Sequence, residues 1–231
     1  MPSYKLIYFT VRCRAEPIHM MFHIAGVEYE NVAIRSAGSK NDDFMKIRPS
    51  LPFGQAPVLE VDGVKLTQSR AIIRYLGREF GFYGKSSLEA AQIDCVMDVT
   101  DDIILKARPI YRHPDLLLDF PGLQGPADVL GNFFKSRTEA IEEYSKTVRK
   151  LLTDLEKLFQ MVEGDFFVGD EISIADMFFF AACNFSRFFI KDPFEGFPTL
   201  AALNDRIIAH PKIKKYLDDT SYKPYEQFKP F

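Results

Sequence analysis

The stretch LPFGQAPVLEVDG, residues 51–63, decides the fold of the first third of the chain. Within it the run 58–61 is patterned as a strand, and Asp62-Gly63 after it is a two-residue hairpin signal. Pro57 comes directly before the strand, although proline has no N–H to donate to a sheet ladder. Proline in such a place belongs to the first residue of a strand, to an edge or to a bend. Residue 57 therefore marks the beginning of the hairpin.

Strands and helices alternate on both sides of this hairpin. The patterns predict strands at 5–9, 29–34, 57–61 and 64–66, and helices at 15–25, 42–47 and 69–80. The first two strands flank a crossover helix, which makes them parallel, and the last two pair as a hairpin. Residues 1–81 are therefore predicted to form an α/β domain with a mixed sheet and helices on its faces.

The rest of the chain, residues 82–231, is predicted to be an all-helical domain. Apolar residues recur at helical spacing in five segments: 89–106, 136–162, 172–189, 199–209 and 211–217. Between the first two, a segment at about 113–135 is punctuated by proline and glycine and predicts an inserted loop. Ser173 and Asp176 form an S-x-x-D capping box ahead of an apolar run, which marks a helix start and carries no chemistry.

Composition narrows the class of protein. The 231 residues are 47% apolar and 26% charged, as in a globular protein of one or two domains. A net charge of −3 argues against nucleic acid as a partner, and no apolar run approaches the length that spans a membrane. The three cysteines are widely spaced without a metal pattern, and no secretory signal is recognisable. A cytoplasmic location is expected.

Four segments carry a resemblance to a known family. The sequences YKLIYFTVRCRAEPI (4–18), FGQAPVLEVDG (53–63), LTQSRAIIRYL (66–76) and DCVMDVTDDI (94–103) resemble the sigma class of cytosolic glutathione transferases. The resemblance covers almost the whole chain, except for residues 113–136. It implies a thioredoxin-like N-terminal domain, 1–81, and an all-helical C-terminal domain, 82–231. It also implies a homodimer that binds glutathione and small apolar electrophiles.

The resemblance assigns catalysis to Tyr8 and Arg14. The Tyr8 hydroxyl would donate to the glutathione sulfur and favour the thiolate, and Arg14 would hold Tyr8 and stabilise the anion. Lowering a thiol pKa from near 8.5 by about two units corresponds to roughly 2.7 kcal/mol. Without the resemblance, Tyr8 is a half-buried strand tyrosine. Arg14 is then an exposed arginine at a helix start, where a cation is mildly unfavourable.

The same resemblance assigns glutathione contacts around the hairpin. In the family the proline that matches Pro57 is cis and leaves the backbone of Ala56 free to bind the cysteinyl part of glutathione, with Gln55 beside it. Gln68 and Ser69 precede or open a helix, whose N–H groups would bind the γ-glutamyl carboxylate. Ser69 is also an ordinary N-cap candidate, and both interpretations hold together.

Two further contacts of the family fall on altered residues. The chain has no tryptophan, and the positions of the family's tryptophan and lysine near the glycyl end fall on Phe44 and Arg48. Arg48 still pairs with a carboxylate, whereas Phe44 lacks the indole N–H, so weaker glutathione binding is expected. Lys46 is the competing choice for the cation.

An acidic face is predicted on the helix at 89–106. Asp94, Asp98, Asp101 and Asp102 are spaced to share one side, and like charges at i, i+4 require compensation. A solvated face is one interpretation. By resemblance, the face lies at the two-fold interface and Asp101 reaches the glutathione of the partner subunit. Asp98, Asp101 and Asp102 would there bind Ca²⁺ or Mg²⁺.

The electrophile pocket is the least transferable part of such a fold. The resemblance places it between the domains, at Phe9, Arg12, Ile104, Arg108 and the C-terminal aromatic residues. Isomerisation of prostaglandin H2 to D2 is one candidate activity.

Other features leave room for a different class of protein. Cys13 replaces the glycine usual before Arg14; redox sensitivity is one interpretation, and a small residue at a helix start is the favoured one. The lens S-crystallins, catalytically weak structural proteins on the same scaffold, are the alternative to an enzyme. The insertion and the missing tryptophan favour them, whereas Tyr8, Arg14, Gln68, Ser69 and a methionine count of 7 do not. A carrier that binds glutathione without turnover is a third possibility, which retention on glutathione-agarose without conjugation would indicate.

Overall fold

A computed structural model describes residues 2–34, 43–111 and 136–218 of the chain. The insertion predicted at 113–135 and the C-terminal aromatic residues lie outside these ranges. Within them, no helix is both long and apolar enough to cross a membrane.

The N-terminal third forms the predicted mixed sheet. Its strands are β1 (Tyr4–Phe9), β2 (Glu30–Ile34), β3 (Val58–Val61) and β4 (Val64–Thr67), in the order β2-β1-β3-β4. β1 runs parallel to β2, and β3 is antiparallel to both β1 and β4. The parallel pair follows from the crossover helix, and the antiparallel pair from the turn at Asp62-Gly63, where both residues have positive φ. The predicted mixed sheet is confirmed.

Helices cover the sheet and form most of the rest of the described chain. They are α1 (Glu16–Ala25), α2 (Asp43–Ile47), α3 (Ser69–Phe80), α4 (Ser87–Lys106), α5 (Arg108–Tyr111), α6 (Arg137–Gln160), α7 (Ile174–Ser186), α8 (Pro198–Ala209) and α9 (Pro211–Asp218). Short 3₁₀ turns lie at Cys13–Ala15, Arg48–Ser50 and Pro52–Gly54. α4 begins two residues before the predicted start because the Ser86 side chain accepts from the Glu89 N–H and caps it.

α7 is the central helix of the molecule. Its sequence IADMFFFAACNFS is apolar on nearly all sides, as expected of a helix surrounded by protein, and it packs against α1, α3, α4 and α8. Gly77 allows the close approach of α3, since a Cβ there would lie 2.9 Å from Cγ2 of Ile174. The Ile174 N–H also donates to the carbonyl of Phe82, which ties the helical region to the end of α3 (2.9 Å).

The predicted capping box at the start of α7 is confirmed. The carboxylate of Asp176 accepts from the N–H and the hydroxyl of Ser173 at 2.8 and 2.7 Å, and the Ser173 oxygen accepts from Ala175. The other carboxylate oxygen of Asp176 accepts from the Phe167 N–H at 2.9 Å. Because Asp176 is completely buried, the pKa of its carboxyl is raised to about 6, although these hydrogen bonds act to lower it.

Candidate functional site

Three segments meet at one end of the sheet. Ile7 lies opposite Val58, so the next positions along the two strands, Tyr8 and Pro57, fall at the same end of the ladder. Thr67 is the partner of Val58 on the other side, which brings the start of α3 to the same place. Strand pairing, rather than proximity in the sequence, therefore assembles the residues predicted to bind and activate glutathione.

Tyr8 is buried at this end of β1, with 3% of its surface exposed. Cys13, in the 3₁₀ turn that follows β1, is also buried, with 8% of its surface exposed. Burial raises the pKa of the Cys13 thiol to about 11, against the lowering effects of Arg14 and Tyr8. The thiol is therefore protonated at neutral pH, and a neutral thiol is a poor nucleophile.

Arg14 follows in the 3₁₀ turn after β1 and pairs with α4 of the same chain. Its guanidinium lies 2.9 Å from Oδ1 of Asp101, whose other oxygen is 3.6 Å from Nε of Arg70. The Asp101 carboxylate is almost completely buried. The prediction paired Asp101 with a partner subunit and did not foresee this contact within one chain. Its reach toward a partner's glutathione stays a prediction.

The acidic face of α4 is compensated by arginines of α3. Arg70 lies 2.6 Å from Asp98, and Arg74 lies 2.7 Å from Asp94 and 3.4 Å from Asp98. The hydroxyl of Tyr83 donates to Asp94 as well, at 2.6 Å. The compensation that the i, i+4 carboxylates require is therefore supplied by arginines. Arg70 and Arg74 are themselves at i, i+4 and so lie on one face of α3.

The predicted Ca²⁺ or Mg²⁺ is not supported by this arrangement. Among the described residues, no group of three or more His, Cys, Asp or Glu side chains is placed to hold a metal ion. The carboxylates of Asp98 and Asp101 have guanidinium groups against their oxygens, and Asp102 is half-buried on the same helix. A cation would have to displace these partners, so the residues of one chain do not fit it.

The predicted glutathione contacts of the hairpin lie together. The Ala56-Pro57 peptide is cis, as the resemblance implied, and Ala56 is half-buried at the end of β3. Ser69 is buried at the first position of α3, and Gln68 before it has φ 67°. The Gln68 amide donates to Oε1 of Gln55 at 3.5 Å, so the two exposed glutamines face each other.

The positions matching the family's tryptophan and lysine are placed differently from each other. The ring of Phe44 packs on Phe9, with centroids 5.1 Å apart. Arg48 is exposed, and its side chain passes beside Gly54, where a Cβ would lie 3.2 Å from the Arg48 Nε. Lys46, the competing cation, is exposed and lies 3.3 Å from Asp43. Both cations remain accessible to a carboxylate.

The residues predicted for the electrophile pocket are not equally accessible. Phe9 is buried against Phe44 and Tyr8. Ile104 is 1% exposed and belongs to the core, whereas Arg108 is exposed at the start of α5. Arg12 is largely covered, because its guanidinium lies over the ring of Tyr216 in α9, 5.6 Å from the centroid.

A buried carboxylate that the sequence did not reveal holds Arg12. Glu16 is 1% exposed and lies 3.4 Å from Nη1 of Arg12, and the Tyr216 hydroxyl donates to it at 3.0 Å. Burial raises the pKa of Glu16 to about 7, because the effect of burial is larger than the lowering by Arg12 and Tyr216. The ammonium of Lys212 donates to the carbonyl of Ile24 and fastens α9 to the other end of α1.

One sizeable cleft, of about 630 Å³, lies elsewhere on the described part of the chain. Its walls come from 81–93 and 161–173, and they contain none of the predicted site residues. Cavity size therefore does not locate the site, which is defined by the convergence of Tyr8, Pro57 and Ser69.

Comparison with known proteins gives the geometry a family context. The family model of the glutathione S-transferase N-terminal domain matches residues 4–78, and that of the C-terminal domain matches residues 128–220. S-crystallin 4 of Enteroctopus dofleini is 35% identical over 96% of this chain and 98% of its own. Glutathione S-transferase 1 of Ascaris suum is 34% identical over 97% of this chain and 100% of its own.

Two more relatives complete the picture. Hematopoietic prostaglandin D synthase of Gallus gallus is 34% identical over 94% of this chain and 96% of its own. The crystal structure of a glutathione S-transferase from Necator americanus, described as monomeric, superposes with a TM-score of 0.78. It is 30% identical and covers 94% of this chain and 97% of its own. The thioredoxin-like and helical halves predicted from the sequence match this fold.

Proposed function

This chain belongs to the glutathione S-transferase family, and we propose that Tyr8 holds glutathione as its thiolate for attack on small apolar electrophiles. The observation that carries the assignment is the convergence of Tyr8 with the Ala56-Pro57 peptide and the start of α3. It brings a buried hydroxyl donor, an open strand end and a helix N-terminus to one place.

Each of these groups suits one part of glutathione. The backbone of Ala56 extends the ladder toward the cysteinyl residue, as another strand would. The buried N-terminus of α3 at Ser69 favours the γ-glutamyl carboxylate, because its N–H groups and the helix dipole attract an anion. Arg48 is exposed and its guanidinium suits the glycyl carboxylate.

Tyr8 and Arg14 supply the chemistry at the sulfur. A hydroxyl that donates to the sulfur stabilises the anion over the thiol, and less than two pKa units of this preference already makes most of the bound glutathione reactive near neutral pH. Arg14 adds positive charge, which its partner Asp101 holds in place through the ion pair at 2.9 Å. The thiol proton passes to solvent, and the thiolate then forms a carbon–sulfur bond to the electrophile. A leaving group departs with its bonding electron pair or, in an addition, the electrons of the double bond shift to the neighbouring atom, which takes a proton from solvent.

The pKa of the bound glutathione thiol tests this function. Thiolate absorbance near 240 nm is titrated for the wild type and for Tyr8→Phe, with Tyr4→Phe as a matched control. Tyr4 lies on the same strand, about 13 Å away at the other end, and is also buried. We expect a depressed pKa in the wild type and Tyr4→Phe, and a value near the free thiol in Tyr8→Phe. An undepressed wild-type pKa supports the alternative of a catalytically weak, S-crystallin-like protein.

Isomerisation of prostaglandin H2 to D2 is a specific activity that the relationship to hematopoietic prostaglandin D synthase favours. Prostaglandin H2 is a mostly apolar molecule that carries one carboxylate. The covered Arg12 and the exposed Arg108 belong to the predicted electrophile pocket, and a guanidinium group suits a carboxylate. Incubation with prostaglandin H2 and glutathione, followed by product analysis, decides it. Formation of D2 above the rate without enzyme supports the assignment, and an unchanged product mixture contradicts it.

We further propose a cytoplasmic homodimer in which the acidic face of α4, with Arg70 and Arg74, lies at the two-fold interface. The alternating charges of this face suit a self-complementary contact. The same proposal assigns residues 1–81 to the glutathione-binding domain and residues 82–231 to the helical domain. Sedimentation equilibrium measures the state directly. A monomer at micromolar concentration would contradict the dimer.

A further inference from the structure

The turn that carries Arg14 contains a strained residue. Cys13 has φ 39°, in the left-handed region that a residue with a Cβ rarely adopts. A strained backbone persists only where the surrounding structure over-determines it, and such positions cluster at functional sites. The 3₁₀ turn Cys13–Ala15 therefore needs contacts that hold it in this conformation.

The two residues that flank this turn are paired with each other. Arg12 precedes the turn, and Glu16 follows it as the first residue of α1. Nη1 of Arg12 lies 3.4 Å from Oε1 of Glu16, so the ion pair joins the two ends of the turn. The side chains are only 12% and 1% exposed, and water and salt therefore screen the pair little.

Tyr216 of α9 contacts both members of this pair. Its hydroxyl donates to Oε2 of Glu16 at 3.0 Å, and the Arg12 guanidinium lies over its ring, 5.6 Å from the centroid. Tyr216 is itself 1% exposed, and the ammonium of Lys212 fastens the start of α9 to the carbonyl of Ile24. Arg12, Glu16 and Tyr216 thus form a clamp across the strained turn.

We propose that Tyr216 is a positioning residue, which closes this clamp and so holds Arg14 where it stabilises the glutathione thiolate. Asp101 anchors the Arg14 guanidinium at 2.9 Å, whereas the clamp fixes the backbone from which that side chain starts. Both anchors matter, because a misplacement of about 1 Å costs up to about a hundredfold in rate. This inference rests on the proposed function, in which Arg14 adds positive charge beside Tyr8.

Tyr216→Phe tests the clamp, and Tyr29→Phe is its matched control. Each substitution removes one hydroxyl that is hydrogen-bonded to a buried side chain of α1. The partner is Glu16 in the first case and Nδ1 of His19, at 2.6 Å, in the second. His19 lies about one turn further along α1, away from the strained turn. For both variants and for Tyr8→Phe, the pKa of bound glutathione is titrated at 240 nm, its KM is measured and thermal unfolding is recorded.

We expect Tyr216→Phe and Tyr29→Phe to unfold about 2–4 °C below the wild type, since each loses a hydrogen bond to α1. Only Tyr216→Phe should raise the thiol pKa, by about 0.5 unit, which is roughly a threefold loss of thiolate on the acid side of the titration. The KM for glutathione should rise in that variant alone. A higher pKa in one of two equally destabilised proteins cannot come from a merely structural role.

Two further backgrounds show whether the effect passes through the turn to Arg14. Beside Arg14→Leu, Tyr216→Phe should leave the thiol pKa where Arg14→Leu alone has put it, because the positioned group is gone. Beside Cys13→Gly, it should raise the pKa by less than in the wild type, since glycine adopts the positive φ without strain. A full additional shift in either background would overturn the proposal.

The outcomes distinguish this inference from the proposed function. If Tyr8→Phe raises the thiol pKa and Tyr216→Phe behaves like Tyr29→Phe, the clamp is wrong and the role of Tyr8 stands. If Tyr8→Phe leaves the thiol pKa unchanged, the proposed function falls, and the clamp falls with it.

Discussion

Asp176 and Asp98 show two opposite ways of stabilising a carboxylate in one molecule. Asp176 is completely buried in the first turn of α7, and the donors that the structure describes for it are the uncharged N–H and hydroxyl groups of Phe167 and Ser173. Asp98 is 59% exposed on α4 and lies against the guanidinium groups of Arg70 and Arg74. The first is part of the scaffold, and the second belongs to a charged surface.

This difference predicts how much each substitution should lower the free energy of unfolding. Removing Asp176 leaves buried donors without an acceptor, and each such donor costs about 1–3 kcal/mol. Removing Asp98 breaks an ion pair that water and salt already screen, which is worth about 0–1 kcal/mol. Glu16 and Asp101 lie between these limits, since each is buried and yet has an arginine partner.

The largest effect is expected at the buried extreme. Asp176→Ala should lower the free energy of unfolding by about 4 kcal/mol, because the N–H groups of Phe167 and Ser173 lose their acceptor and α7 loses its cap. Urea unfolding followed by far-UV circular dichroism measures it. Asp154→Ala, on the exposed side of α6, is the control and should change the value by less than about 0.5 kcal/mol. Equal losses at the two positions would contradict the conclusion that burial makes the Asp176 carboxylate important for stability.

The buried carboxyl of Glu16 should make the free energy of unfolding depend on pH. Its folded pKa of about 7 lies above its ordinary value of 4.5, so the folded state binds a proton that the unfolded state releases between these values. This contribution to stability is complete below pH 4.5 and is lost as the pH rises through 7. Over that window the wild type should lose about 3 kcal/mol more than Glu16→Gln does.

Urea midpoints at half-unit pH intervals, taken for both proteins, isolate this group. Asp176 contributes a slope of the same sign between its ordinary value and about 6, but it does so in both proteins and cancels in the difference. Parallel curves for the wild type and Glu16→Gln would show that Arg12 and Tyr216 fully compensate the buried charge.

An intermediate effect is expected at Asp101. Asp101→Asn should destabilise the protein by about 1.5 kcal/mol, since its hydrogen bond with Arg14 at 2.9 Å is charged and largely buried. It should also raise the KM for glutathione, because Arg14 is less firmly held beside Tyr8. A double-mutant cycle with Arg14→Leu measures the coupling between the two side chains. Additive effects would show that the pair contributes nothing.

The smallest effect is expected at the exposed extreme. Asp98→Asn should cost less than about 0.5 kcal/mol at low salt, and the cost should vanish near 1 M NaCl, where the screening length falls to about 3 Å. Comparing urea midpoints at two salt concentrations measures both quantities. A loss that persists at high salt would mean that Asp98 behaves as a buried carboxylate.

The parts of this molecule that were predictable from the sequence are those set by local patterns. The hairpin at Asp62-Gly63 and the capping box at Ser173 depend on residues that are close in the chain, and the parallel pairing of β1 with β2 follows from the helix between them. The four carboxylates of α4 were recognised by their spacing. Their arginine partners were not, because only the docking of α3 on α4 brings Arg70 and Arg74 within reach.

The candidate site divides in the same way. Tyr8 and the Ala56-Pro57 peptide were identified through a motif, and the register of β1 and β3 explains why they converge. The burial of individual side chains could not be predicted from the sequence. Nothing in the pattern of α1 marks Glu16 as inaccessible, since the helix that covers it contributes Tyr216, 200 residues later. The positive φ of Cys13 was likewise invisible, although its place in a glycine position was the available signal.

The fastening of α9 to α1 has a consequence for the order of synthesis. Tyr216 follows Glu16 by 200 residues, and Lys212 follows Ile24 by 188. The helix α1 therefore receives these partners only after residues 1–216 have been translated. At about 5–20 residues per second, the ribosome needs roughly 10 to 40 s for that interval. During it, the nascent protein carries an open face on α1 with a glutamate that folding will later enclose.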